Sequence, residues 1–189
     1  MPYVSKESRA LVDVHIAEIV HHIRNHYQFE ARGLPLRVLA SAIVLNAKRP
    51  GLAWGLVYSN TPPDVRGTFS NLAESLVGVI NTEFCEIEKE GVLNYVITRL
   101  IVGSYLPTNP CPPTQWPYSH IAAVIDAFEG AKSVCVSLSS HSGYGIDGLH
   151  GPFTCAALEF YRRVAAPKED WAIFENGDIV EYEQPAIGV

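Results

Sequence analysis

The sequence predicts a mainly α protein: a single compact domain of about five helices with a minor β component near the C-terminus. Three observations carry that reading. Apolar residues recur every three or four positions in two long stretches, Val12–Tyr27 and Phe69–Ile87, which is the spacing of an amphipathic helix. Two more stretches, Leu34–Ala47 and Gly91–Leu106, are apolar nearly all round, as buried helices are. Alternation at Val134, Val136 and Leu138, and an Asn176-Gly177 pair ahead of Ile179, are the strand signals.

Composition bounds the function. The chain has 189 residues, 48% hydrophobic and 18% charged, so it can bury enough apolar surface to offset ordering entropy. Its net charge of −6 argues against a duplex-DNA footprint, which needs clustered Lys and Arg. Cys85, Cys111, Cys135 and Cys155 are widely spread with no C-x-x-C pair, as expected of reduced thiols in a cytoplasmic protein. The opening MPYVSKESRA has no apolar signal core, and no apolar run reaches the roughly 18 residues of a membrane span.

The first helix starts from Ser5 as cap and runs to about Tyr27. Val12, Ile16, Ile19, Val20, Ile23 and Tyr27 share its apolar face, and His15, His22 and His26 flank it. His22 and His26 have a spacing that can chelate a metal from one helical turn. Glu18 and His21 match half of a di-iron pattern whose other half is absent from the chain. The plain reading is a polar helix flank, and no metal is expected. The second helix, Leu34 to Ala47, tolerates Pro35 in its first turn and stops at Pro50-Gly51. Leu52 to Tyr58 fits strand or helix, and Asn60 to Gly67 is expected to be a loop or lid.

The third helix carries Phe69, Leu72, Leu76, Ile80, Phe84 and Ile87 on one stripe. Glu83, Glu86, Glu88 and Glu90 then crowd its end, where negative charge opposes the helix dipole. In the next helix Arg99 is conspicuous, because it cannot be buried without a partner. Either it pairs with Glu159, Glu169 or Asp178, or it points into a pocket and holds an anion. Five prolines between Pro107 and Pro117 make an extended connector, with Trp116 lying across the domain body. Ser119 caps the next helix, whose apolar face is Ile121, Val124, Ile125 and Phe128.

Gly143, Gly145, Gly148 and Gly151 follow in a loop that also carries His141, Tyr144, Asp147 and His150. It lacks the phosphate-binding Gly-x-x-x-x-Gly-Lys and the nucleophile Gly-x-Ser-x-Gly. Convergence of His141, Asp147 and His150 on a metal, or of Cys135 or Cys155 with a histidine as nucleophile and base, is compatible with the residues but not diagnostic. The final stretch, Leu158 to Tyr182, holds a helix with a Glu159–Arg163 pair and a buried stripe of Leu158, Tyr161, Val164 and Ala165. Pro167 is expected to end or bend that helix, with Trp171 and Phe174 anchoring the next turn.

Several of these segments resemble a family of short, uncharacterised, mainly helical proteins of bacteria and their phages. The resemblance rests on Met1-Pro2-Tyr3, on Leu93 to Leu100 (LNYVITRL), and on Leu158 to Arg163 (LEFYRR) with Ala166-Pro167, Glu169-Asp170 and Glu175 to Asp178. Against that pattern, residues 28–90 and 133–156 read as insertions within one domain spanning 1–189. The resemblance implies a scaffold and supplies no catalytic residues.

The leading functional expectation is a non-enzymatic, phage-encoded binding protein that captures a small anionic ligand such as a signalling nucleotide, a counter-defence role. Arg99, Arg162 and Arg163 suit phosphate; Trp54, Tyr95, Trp116 and Tyr144 suit a base; the Gly-rich loop suits closure. The ligand-binding set is therefore Arg99, Arg162, Tyr95, Trp116, His141, Tyr144, Asp147 and His150, with no catalytic residue and no cofactor. The alternatives are a homo-oligomeric interaction protein that inhibits a host factor, suggested by a mean hydropathy of +0.09, and a metal-dependent hydrolase.

Overall fold

The computed structural model describes residues 4–50, 63–109, 111–141 and 149–176, with backbone only at 63–65, 138–141 and 176. Its helices are α1 (Lys6–His26), α2 (Gly33–Lys48), α3 (Pro63–Glu83), α4 (Glu86–Tyr105), α5 (Tyr118–His141), α6 (Gly151–Phe160) and α7 (Ala166–Asn176). A π-helical segment, Tyr161–Ala165, joins α6 to α7, so six helical rods are present among the described residues.

α2 is the centre. Every residue from Val38 to Ala47 is buried, and the helix packs most extensively on α5, then on α3 and α4. Two polar side chains survive there by bonding to backbone. The Ser41 hydroxyl lies 2.7 Å from the carbonyl oxygens of both Arg37 and Ala131, and Asn46 Nδ2 donates to the Ala42 carbonyl at 2.8 Å. α1 lays Val12, Ile16, Ile19 and Ile23 against α3 and α4. It starts as expected from Ser5, whose hydroxyl accepts the Ser8 N–H at 3.0 Å.

The bend after α1 is tied by one cation. Arg32 donates from Nε to the Tyr27 carbonyl at 3.1 Å and from Nη1 to the Ser104 carbonyl at 2.8 Å. A guanidinium therefore meets the negative ends of both α1 and α4. Lys168 makes a comparable tie for the Pro-rich connector, donating to the Thr114 carbonyl at 2.7 Å.

The expected minor β component is overturned. Val134, Val136 and Leu138 lie within α5, and no strand occurs among the described residues. Ala131 and Cys135 are buried and continue the helical stripe of Val124, Ala127 and Phe128, so the three-residue alternation was a fragment of a longer 3.6 period. Ile179 lies outside the described residues, as does the segment Leu52–Tyr58. Helix, not loop, covers Pro63 to Gly67, because α3 begins at Pro63.

Further expectations change. The stripe Phe69 to Ile87 is broken after Phe84: Cys85 is extended, its N–H donates to the Glu88 carboxylate at 3.1 Å, and α4 begins. Ile87 is consequently 87% exposed. Glu86 and Glu88 sit in a first helical turn, where negative charge favours the dipole rather than opposing it. Pro167 does not end its helix. It has no N–H to offer the Arg163 carbonyl; one residue earlier the Ala166 N–H reaches back to the Tyr161 carbonyl, and the wider π turn carries the chain on into α7. Finally, Leu158 and Tyr161 are exposed; Ala165 is buried and Val164 packs against the core as expected, joined by Phe153, Ala156 and Phe160. Trp171 and Phe174 are exposed too, their rings 5.8 Å apart.

Candidate anion-binding cleft

Gly91, Asn94, Tyr95, Thr98 and Arg99 recur at helical spacing on α4, running from buried Gly91 and Asn94 through half-buried Tyr95 and Thr98 to exposed Arg99. The end of α6 and the π segment bring Glu159, Arg162 and Arg163 opposite them, and the start of α1 adds Val4 and Arg9. Together these residues line a cleft of about 550 Å³, within the range of small-molecule sites.

Each wall is held. Tyr95 donates its hydroxyl to Asp13 Oδ1 at 2.8 Å, which ties α4 to α1. Burial pushes the Tyr95 phenol up from its ordinary value, and the Asp13 carboxylate adds to that by accepting its proton. Arg9 donates from Nε to the Val4 carbonyl at 3.0 Å and sets its guanidinium over the Tyr95 ring, 5.4 Å from the centroid. Thr98 turns its hydroxyl back to the Asn94 carbonyl at 2.8 Å.

The opposite wall is an ion cluster. Arg162 binds both oxygens of Glu159, from Nε at 3.1 Å and from Nη2 at 2.8 Å. Arg163 donates from Nε to the same carboxylate. The Arg162 hydrogen bond first, and that of Arg163 after it, hold the Glu159 carboxyl below the usual carboxylate range, against an opposing effect of burial. Arg162 is held above its ordinary value by the same pairing. The expected Glu159–Arg163 pair is thus present, and Arg162 shares it.

Arg99 is different. It is exposed and lines the cleft, and among the described residues it makes no hydrogen bond or ion pair. Glu159 is already engaged, and the Glu169 carboxylate accepts the Tyr161 hydroxyl at 2.7 Å. Asp178 lies outside the described residues. Four of the nine arginines of a chain with net charge −6 meet at this cleft, and among the described residues Glu159 is the one carboxylate that lines it. A concave surface concentrates such a field and draws anions to it.

The structure therefore brings together three of the residues singled out from the sequence: Tyr95, Arg99 and Arg162. Trp116 lies elsewhere. It is buried, its ring 6.1 Å from that of Phe160, and it borders a second cavity of about 320 Å³ with Arg24 and Cys111. His150 is half-buried at the start of α6, with a buried Nδ1 that has no hydrogen-bond partner. His141 ends α5 with its side chain undescribed, and Trp54, Tyr144 and Asp147 lie outside the described residues. Arg9 escaped the sequence reading, because nothing in its spacing reveals that α1 packs against α4.

The other chemistry-bearing residues are placed as follows. His22 and His26 have ring centroids 4.1 Å apart, and the edge of Phe69 packs on His22 at 4.9 Å. Among the described residues no three His, Cys, Asp or Glu side chains converge as a metal site. All four cysteines are free. Burial pushes the Cys135 thiol up to about 11, so it packs as a protonated thiol that donates to the Leu149 carbonyl. No described helix is long and apolar enough to cross a membrane.

The family model for a domain of unknown function, DUF6899, matches residues 1–136. The chain belongs to that family. The DUF6899 match takes in α1 to α4 and most of α5, and with them the Arg9, Tyr95 and Arg99 side of the cleft. Glu159, Arg162 and Arg163 come from beyond the matched residues. Searches of curated proteins and of solved structures returned no match.

Proposed function

We propose that this protein binds a small anionic ligand in the cleft between α4 and the π segment, without turning it over. The observation that carries the reading is Arg99, an arginine without a protein partner among the described residues, facing an arginine pair across a cavity of ligand size. Arginine forks match phosphate and carboxylate oxygens in geometry and charge. A nucleotide fits that chemistry, with phosphates toward Arg99, Arg162 and Arg163. The resemblance to proteins of bacteria and phages supports a sequestering role, as in capture of a signalling nucleotide by a phage-encoded protein.

Titration calorimetry at low salt against a panel of mononucleotides, cyclic nucleotides and inorganic phosphates tests this. The expected result is saturable binding of at least one phosphate-bearing member, weakened at higher ionic strength and lost in Arg99→Gln, with the ligand recovered unchanged. Absence of heat with every member, beside a folded control, overturns it.

Protein association is the second reading. It is supported by the apolar residues that the C-terminal rod exposes: Leu158 at 65%, Trp171 at 48% and Phe174 at 81%. Light scattering across a concentration series tests it. A dimer that Phe174→Ser dissociates supports this reading, and a monomer throughout removes it.

A further inference from the structure

We propose that Glu159 is the cleft's built-in counter-anion, holding Arg162 and Arg163 until a multiply charged oxyanion displaces it, so that the cleft selects phosphate-bearing ligands over monocarboxylates. The inference rests on the anion-binding reading of the same cleft and names the chemical class of its ligand.

The geometry distinguishes Glu159 from an ordinary surface carboxylate. Its side chain is only 15% exposed, whereas those of Arg162 and Arg163 are 67% and 66% exposed. One carboxylate is thus drawn in beneath two outward guanidiniums, occupying the fork of Arg162 and the Nε of Arg163. Both arginines lie on the π segment, three and four residues after Glu159, the two spacings that put side chains on one helical face, and both reach one carboxylate.

An incoming monocarboxylate offers these arginines the kind of partner they already have. Exchange gains no Coulomb energy and costs the ligand its translational freedom. A phosphate or diphosphate group brings a second charge and a third oxygen. It can engage the Arg162 fork and Arg99 together, which no carboxylate among the described residues does. The carboxylate of Glu159 also repels any anion that enters without displacing it. Glu159 thereby sets a minimum charge for the ligand, and the low position of its own titration keeps it ionised at neutral pH.

The test compares wild type, Glu159→Gln and Glu159→Asp by calorimetry with inorganic pyrophosphate, ADP and acetate, with thermal melts to establish folding. Glu159→Gln keeps the shape and removes the charge. It is expected to tighten pyrophosphate and ADP about tenfold and to make acetate binding measurable. Glu159→Asp, charged but one methylene short of both guanidiniums, is expected to fall between the two. ADP binding tighter than pyrophosphate identifies a nucleotide ligand, and equal binding identifies a free polyphosphate anion; the Glu159 assignment is supported either way. Pyrophosphate binding to wild type that is unchanged or weakened in a folded Glu159→Gln overturns the role of Glu159 and leaves the anion cleft standing. No binding of any probe to wild type or variants overturns both.

Discussion

Gly130 leaves the space that the Arg37 side chain fills. A Cβ built at position 130 overlaps the guanidinium, 2.7 Å from Arg37 Cζ. Arg37 reaches from α2 across α5 in that space and pairs with Asp126. Glycine in a helix interior costs about 1 kcal/mol relative to alanine, so close approach of Arg37 is a sufficient reason for its presence. Gly130→Ala in the wild type is expected to push the flexible Arg37 end aside and break its pair with Asp126, a loss that offsets alanine's helix advantage and leaves stability within about 0.5 kcal/mol of wild type. In an Arg37→Ala background the same change is expected to stabilise. A double-mutant cycle in urea measures this coupling, and additive effects would show that the two residues do not share the space.

Arg99 separates function from stability. Arg99→Gln removes an exposed cation that holds no protein group among the described residues. Its unfolding free energy is expected to stay within about 0.5 kcal/mol of wild type, while phosphate-bearing ligands lose at least tenfold in affinity. Parallel melts and calorimetry check both halves. A loss of stability above that level would mean that Arg99 serves the fold.

Acid is expected to weaken the protein through its histidines. Burial lowers the His22 pKa from its ordinary 6.5, and the neighbouring His26 and His21 lower it further; Phe69 of α3 is the group packed on its ring. Burial and Arg32 lower His120 in the same direction. Below about pH 6.5 the unfolded chain takes up protons at these sites that the folded chain resists, so stability falls as pH drops through that value. Urea midpoints at pH 7.5, 6.5 and 5.5 should decline in that order. His22→Gln should flatten the decline, and an unchanged slope would remove His22 from the account.

Cys85 is a weak acceptor at the start of α4, where Ser, Thr, Asp and Asn are strongly preferred. Its backbone N–H is bonded to the Glu88 carboxylate and its sulfur faces the Glu88 N–H, so a capping box is in place with a weak acceptor on one side. Cys85→Ser replaces the weak sulfur acceptor at this cap with an oxygen, beside the Cys85 carbonyl that the Glu88 N–H already meets at 3.0 Å, and is expected to stabilise by about 0.5 kcal/mol. Glu88→Ala is expected to destabilise by a similar amount. Thermal unfolding of the two variants checks the pair of signs.

Much of the helical content was legible because it repeats. α1 follows its apolar stripe from a serine cap, and α2 follows a run too apolar to be anything but buried. The misreadings have local causes. The break between α3 and α4 hid behind Cys85, an unusual cap, so the stripe was carried on to the exposed Ile87. In α5 three alternating residues mimic a period of two, while Ala131 and Cys135 continue a period near 3.6. At Pro167 the missing N–H signals an end or a bend, and a π turn that absorbs it has no sequence period of its own.

The cleft divides along the same line. Arg99 was conspicuous as a cation in an apolar helix, and Glu159 with Arg163 as an i,i+4 pair, because both signals lie within a single element. That Arg9, Arg99 and Arg162 face one cavity depends on α1, α4 and the π segment meeting, across separations of ninety residues and sixty-three. Local periodicity contains the helices and their apolar faces. Which polar faces remain to look at one another is decided only when those apolar faces have been buried together.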